Sequence, residues 1–330
     1  MKYFTRHPAY FESFRCSASR CSDNCCIGWE IDIDSDTLSY YMQVQGSFGE
    51  RLKENIDTTG DAHFILGRGE RCPFLNDSNL CDIILTLGEE NICQICSDHP
   101  RFYEWYSNGI EEGVGLCCEE AARLILEGND TLLGSWEESE DMVGPESDDV
   151  PAGETEIENE YFSLREQFFK DISCTDWKDK DNLLEDWGFE LEISEVKFKD
   201  LIAFYQKLEI NASEWRELLA EIAENAGKIA EIWSDFESIN VMACDGYKKI
   251  MNYFVYRYFM KARFRENEYD YAAFCILNTL FIEMLDINCW MKNGKLTLSD
   301  RINNCKQYSQ EIEYCEENVE EILNMGSSFM

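Results

Sequence analysis

The chain has 330 residues, enough for one substantial core or for a core with a smaller lobe attached. Its 29 basic and 66 acidic residues leave a formal charge of -37. That charge opposes nucleic-acid binding, which depends on neutralising phosphates with Lys and Arg, and suits a basic or neutral protein surface as partner.

The opening residues, Met1 to Pro8, lack the apolar run of a secretory leader, and no uncharged stretch approaches the roughly 18 to 20 residues that span a bilayer. These features predict a cytoplasmic protein with no membrane partner. In that reducing compartment the sixteen cysteines read as metal ligands or free thiols rather than disulfides.

Ten of the sixteen lie between Cys16 and Cys118. The first group is Cys16, Cys21, Cys25 and Cys26. After it, Trp29, Ile31 and Ile33 alternate with Glu30, Asp32 and Asp34, which predicts a half-buried strand over 28–34. Asp34 or Ser35 then caps a helix through Thr37 to Val44. The Asp32, Asp34, Asp36 spacing resembles the start of a calcium loop, but Thr37 and Gln43 stand where glycine and a bidentate acid are needed, so these aspartates are assigned to strand surface and capping.

Residues 56–71 read as a loop broken by Gly60, Gly67 and Gly69. The second cysteine group runs from Cys72-Pro73-Phe74-Leu75 through Cys81, past one or two helical turns over Asn79 to Leu87, to the Cys93/Cys96 pair just before His99. A two-residue gap lets both sulfurs of a tight turn face one ion or cluster. Cys117 and Cys118 open a short buried helix over 119–127, whose dipole favours thiolate. Gly113 and Gly115 do not complete a nucleotide-binding glycine loop, and the C-x3-C-x2-C pattern of radical S-adenosylmethionine enzymes is absent.

Residues 131–160 hold eleven acidic and no basic side chains and read as a solvated linker between a cysteine-rich lobe, 1–130, and a helical lobe, 161–330. Apolar residues at three- and four-residue intervals predict six helices, over 161–172, 195–208, 212–236, 245–265, 269–285 and 298–325, with Ser299 as cap of the last. The apolar run from Ala272 to Leu285 is interrupted by Asn278 and Glu283 and reads as core. The expected fold is mainly α, with a cysteine-rich metal-binding N-terminal lobe containing short strands, packed on a C-terminal bundle-like helical lobe.

The candidate metal ligands are Cys21, Cys25, Cys26, Cys72, Cys81, Cys93, Cys96 and Cys118. Two zinc ions, one iron-sulfur cluster with spare thiols, or a cluster plus a zinc all fit that number. Adjacent Cys25 and Cys26 point to opposite sides of an extended chain, so at most one of them ligates. His99 fits a capping or packing role better than ligation, and the six later cysteines, including Cys244, Cys275 and Cys289, read as small buried hydrophobes.

The ordered set Phe14-Arg15-Cys16, Cys21-x-Asp23-x-Cys25-Cys26-x-Gly28-Trp29, Cys72-Pro73-Phe74-Leu75, Cys81, Cys93-x-x-Cys96, Pro100-Arg101 and Cys118-x-Glu120-Ala121-Ala122-Arg123 resembles the flagellin lysine-N-methylases. The likeness continues through Tyr253-Phe254-x-Tyr256-Arg257-Tyr258 and Tyr308-Ser309-x-Glu311-Ile312-Glu313 to Asn318. The cysteine core alone is also similar to a broader group of zinc- or iron-chelating cysteine-cluster proteins. Departures are Glu119 where the family often has proline, the doubled Cys117-Cys118, and Tyr314-Cys315 in place of a histidine-containing pair.

The resemblance implies S-adenosylmethionine-dependent methylation of lysine side chains on flagellin, with a 4Fe-4S cluster in the cysteine-rich lobe. A lysine amine, protonated below about pH 10.4, must be met by groups that orient it and carry its proton away. Tyr256, Arg257, Tyr308, Glu311 and Glu313 are the candidates for catalysis; residues binding S-adenosylmethionine are not assigned. The alternatives are a non-enzymatic zinc- or iron-binding adaptor and an iron-sulfur electron carrier.

Overall fold

The computed structural model describes residues 3–22, 24–128, 133–138 and 154–326. Most of the acidic stretch expected as a linker over 131–160 lies outside these residues. The elements begin with β1 (Phe4–Arg6), α1 (Ser35–Gln43), α2 (Gly46–Glu54), β2 (Ile56–Asp57), β3 (His63–Phe64), α3 (Asp82–Leu87) and α4 (Gln94–Asp98). They continue with β4 (Arg101–Tyr106), β5 (Gly109–Val114), α5 (Glu119–Glu127), β6 (Glu137–Glu138), α6 (Glu154–Cys174), α7 (Asp181–Asp186), α8 (Glu195–Tyr205) and α9 (Ser213–Ile239). The chain closes with α10 (Val241–Tyr258), α11 (Glu268–Asn293), α12 (Leu298–Ile312) and α13 (Glu316–Gly326). The fold is mainly α, as the periodicity predicts.

Two compact units result. A thiol unit comprises Phe14–Phe102 and Cys118–Glu120, and a helical unit comprises Met1–Ser13, Tyr103–Cys117 and Ala121–Met330.

In the thiol unit, Asp34 caps α1 by accepting from the Thr37 amide at 2.9 Å, and its second oxygen accepts from the Gln94 amide at 2.9 Å. One carboxylate therefore satisfies free N–H groups of two helices and fixes the C-x-x-C segment against α1. The strand expected over 28–34 does not form; Asp32 makes only an isolated bridge to His63, while β2 and β3 pair with each other. Ile31, Ile33, Tyr41, Phe64 and Phe74 are buried in a small apolar core that includes Cys72 and Cys93.

In the helical unit, α11 is the axis of the core, with Tyr271 through Asn288 buried on every face. It is long and apolar enough to cross a membrane, but 94% of its most apolar window is covered by protein. Gly294 at φ 67 ends it, where only a residue without Cβ strain fits a left-handed cap. A sheet in the order β4-β5-β1-β6 places β1 parallel to β5, joined by Glu111. That carboxylate, 1% exposed, accepts from Arg6 at 2.8 Å and from Arg165 of α6 at 2.6 and 2.8 Å. Burial alone would raise its pKa; the Arg165 and Arg6 guanidinium groups outweigh this and hold it below the ordinary glutamate range.

Several boundaries differ from the sequence reading: α6 begins at Glu154, inside the stretch expected as a linker, α7 was not expected, α10 spans Val241–Tyr258 rather than 245–265, and α11 runs on to Asn293. The last expected helix is split into α12 and α13 around Glu313, Tyr314 and Cys315, and its cap is Thr297, which forms a reciprocal capping box with Asp300, rather than Ser299. Of the six later cysteines, Cys244, Cys275, Cys305 and Cys315 are buried as expected, but Cys174 is exposed and Cys289 is half-buried.

A second buried carboxylate carries a pH signature. Glu283 on α11 is fully buried; one oxygen accepts from Trp177 Nε1 at 3.0 Å and the other has no partner, while nearby Lys180 is paired with Glu237. Burial pushes its pKa up to about 8, Lys180 opposes this, and Glu237 adds to it. Between the ordinary value of 4.5 and about 8 the folded chain holds a proton that the unfolded chain has released, so this group's contribution to stability falls as pH rises through that window. Thermal unfolding across this range should therefore show a destabilisation with rising pH that Glu283→Gln removes; identical pH slopes for the two proteins would contradict the assignment.

Candidate functional site

The eight cysteines expected as metal ligands all fall in the thiol unit. Three local structures gather five of them. A backbone bond from the Cys72 amide to the Cys26 oxygen, 2.8 Å, lies beside the Ile27–Arg71 bridge and draws the first cysteine group onto the second. Pro73 then turns the chain, with the Leu75 amide bonded to the Cys72 oxygen at 3.1 Å, and the Leu75–Cys81 bridge returns Cys81 alongside. Cys93 is the N-cap residue of α4 and Cys96 lies three residues on, so the single helical turn fixes both sulfurs.

Cys26, Cys72, Cys81, Cys93 and Cys96 consequently sit within electrostatic reach of one another. Cys25 contacts Cys26 through its thiol, and the Cys25 hydrogen bond together with burial drives the Cys26 pKa up. Burial pushes Cys72 up to about 11 and also raises Cys81. The Cys93 thiol, with burial, raises Cys96. Cys93 goes the other way: hydrogen bonds from Cys96 and from the Tyr41 hydroxyl, 3.8 Å away, favour its thiolate against the cost of burial. Thiols crowded in an apolar pocket oppose one another's ionisation, and a bound cation removes that opposition. Cysteine sulfurs are the donors that zinc and iron-sulfur clusters take, but among the described residues the group with ligand atoms all within 4.8 Å of one another is Glu209, Cys315 and Glu317, not these thiols.

The Cys21 sulfur is 3.9 Å from Glu119, which also accepts from the Ser22 amide at 2.9 Å. This ties the first cysteine group to the segment holding Cys118. His99 is half-buried against Trp29, and burial lowers its pKa to about 4. It stays neutral at physiological pH.

The five residues expected in catalysis all lie in the helical unit but do not share one setting. Tyr256 donates to the backbone oxygens of Arg6 and Glu112. Tyr308 is bonded to Tyr205 at 2.8 Å and donates to Asn278 at 2.5 Å. Glu311 accepts from the Asn211 and Ala212 amides, each at 2.9 Å, where α9 begins. Arg257 and Glu313 do meet, as an ion pair of 3.0 Å.

That pair is the centre of a buried polar cluster. The turn between α12 and α13 presents Glu313 to one face of α10, from which Tyr253 and Tyr258 donate to its Oε2 at 2.8 and 3.0 Å. Arg257 also donates to the Tyr253 hydroxyl at 2.6 Å, and the Leu116 amide donates to the same oxygen at 3.2 Å. Beside it, the Cys117 sulfur is 2.9 Å from the Tyr314 hydroxyl. Gly115 makes this approach possible: a Cβ there would stand 3.1 Å from Arg257 Nη1 and 3.3 Å from the Tyr314 hydroxyl. Burial places the Tyr253 and Tyr258 pKa values well above the ordinary phenol range, so both remain donors. Glu313 Oε1 is buried and has no hydrogen-bond partner. It is an acceptor fixed in place without a donor, on a side chain with no exposure.

Sequence reasoning singled out Arg257 and Glu313 but left out Tyr253, Tyr258, Tyr314 and Cys117. Tyr253 lies four residues before Arg257 and hence on the same helical face, a signal the spacing carried. Nothing local in the sequence marks Cys117 as the neighbour of Tyr314.

Comparison with known proteins places these features in one class. The profile of the FliB lysine N-methylase C-terminal domain matches residues 146–327, a span that includes Tyr253, Arg257 and Glu313. The chain belongs to the FliB lysine N-methylase family, a class of protein-lysine methyltransferases. It is 32% identical over 133 residues to a flagellar biosynthetic protein FliU of Salmonella muenchen, covering 38% of this chain and 78% of that one. A lysine-N-methylase of Salmonella typhimurium is 31% identical over 133 residues, 38% of this chain but only 33% of its own length. No solved structure matches.

The thiol cluster makes a direct prediction. Cys93→Ser combined with Cys96→Ser should lower the metal content of the purified protein at least severalfold, whereas Cys174→Ser, at an exposed position on α6, leaves it unchanged. Elemental analysis showing equal metal in all three would contradict the assignment.

Proposed function

We propose that the chain transfers methyl groups from S-adenosylmethionine to the side-chain amines of lysines on flagellin, in the cytoplasm, with a 4Fe-4S cluster held by thiols of the cysteine-rich unit. Family membership supports the transfer to lysine, and the name of the FliU relative supports a flagellar protein as substrate. Sixteen free cysteines suit a reducing compartment. Cys26, Cys72, Cys81, Cys93 and Cys96 supply the donors such a cluster needs. Bound there, the cluster supplies Lewis-acidic iron, and the donor supplies an electrophilic methyl on a sulfonium sulfur.

The observation that carries the reading on the protein side is the buried Glu313 Oε1, which has no hydrogen-bond partner. An N–H of the entering lysine bonds to it, which orients the amine, and the same oxygen takes the proton that must leave before nitrogen can act as nucleophile. Tyr253, Tyr258 and Arg257 hold the other oxygen, so the carboxylate does not rotate or reorganise during the reaction. Exclusion of water around this cluster lowers the lysine's own pKa, because burial disfavours the charged ammonium.

Glu313→Gln should lower the turnover of labelled methyl onto flagellin by about a hundredfold or more, as expected for loss of a positioned proton acceptor. Glu313→Asp, which keeps the charge, should recover part of it at an unchanged melting temperature. Full activity in Glu313→Gln would contradict the role of the residue. Absence of lysine methylation by the metal-loaded natural protein would contradict the function.

A further inference from the structure

The thiol unit contains an open cleft of about 640 Å³ that none of the chemistry above uses. Ile33, Leu38, Ala62 and Ile95 supply its apolar lining, and Asp32, Asp34 and Asp61 its charge. Gln94 and Ile95, the two residues between Cys93 and Cys96, form part of its wall. No basic side chain lines it. His63, next to Ala62 in the chain, is bonded through Nδ1 to the Asp61 backbone oxygen and lies 3.8 Å from Glu30.

The three carboxylates differ in what they already do. Asp34 is committed to the Thr37 and Gln94 amides. Asp32 and Asp61 are exposed and make no side-chain hydrogen bond or ion pair among the described residues. A cleft with a partly apolar wall, edged by the exposed Asp32 and Asp61 carboxylates, matches a lysine, whose methylene stem lies along apolar surface while its ammonium stays at a polar rim.

We infer that this cleft is a docking site for a lysine-bearing segment of the protein substrate, distinct from the lysine that receives the methyl group. The inference rests on the reading of the chain as an enzyme acting on a protein, and it gives the charge of -37 a specific task at one concave surface. The unit recognises a basic neighbourhood by charge and stem length, and raises its local concentration without entering the reaction.

The test uses the full-length, metal-loaded chain and a fluorescent peptide carrying three lysines, with its N-acetyllysine counterpart as the uncharged probe. The lysine peptide should bind, and its Kd should rise about three- to tenfold in the double variant Asp32→Asn with Asp61→Asn, as expected for loss of two exposed ion pairs. The acetylated peptide should bind weakly to both proteins. Glu231→Gln with Asp235→Asn, an equal loss of charge on the exposed face of α9, should leave the Kd unchanged. In methyl transfer the cleft variant should raise KM for the protein substrate while kcat is kept, which separates docking from damage to the reacting site.

No binding of the lysine peptide by the natural chain, an equal Kd in the cleft variant, or the same weakening in the α9 variant would each overturn the proposal. Peptide binding is read without turnover, so a chain that binds through the cleft yet methylates nothing would count against the proposed activity alone.

Discussion

Five thiols enclosed by Ile31, Ile33, Tyr41, Phe64 and Phe74 cannot all carry charge unless a cation joins them. This constraint organises the thiol unit. Its helices are short, α4 being a single turn, and its strands are two residues long, so regular secondary structure contributes little there. What fixes the geometry is a set of local devices: the Asp34 clamp on two helix termini, the turn at Pro73, and the bridges that lay Cys26 beside Cys72 and return Cys81 toward Leu75. Each brings cysteines from separate parts of the chain within electrostatic reach of one another. A cation held there would link segments that the small apolar core holds only in part.

The helical unit solves a different problem, the burial of many charged groups. Glu111 is neutralised by two arginines, and Asp286 by Arg301, with Asn304 and Tyr247 completing its hydrogen bonds. Among the described residues only two carboxylates, Glu283 and Glu313, keep a buried oxygen without a partner. For Glu283 the explanation is retention of its proton. Glu313 is different, because Tyr253, Tyr258 and Arg257 all meet its other oxygen. The buried Glu313 oxygen that lacks a donor is the feature on which the proposed contact with the substrate amine rests.

Much of this was legible in the sequence. The cysteine spacing marked the stretch from Cys16 to Cys118, Asp34 was one of the two residues expected as cap of α1, and the three- and four-residue periodicity gave most of the long helices. The strand over 28–34 failed because its alternation reflects two isoleucines packing inward from an irregular segment that has no continuous partner strand. The break near 313 was invisible because apolar spacing runs through it, and neither glycine nor proline marks the turn. The site residues divided for a geometric reason. Tyr256 and Arg257 are adjacent on α10 and must face different directions, and Tyr308, Glu311 and Glu313 diverge around α12 and the turn that ends it. The pairing of Cys117 with Tyr314 depends on contact across 197 residues, which no local pattern encodes.

The central claim is that the converged thiols hold a metal through sulfur. X-ray absorption at the metal edge of the anaerobically purified protein tests it most directly. The account predicts a first shell made of sulfur at about 2.3 Å, with an iron-iron vector as well if the group is a cluster. A first shell of nitrogen and oxygen, or a protein that binds no metal with all its thiols reduced, would contradict it.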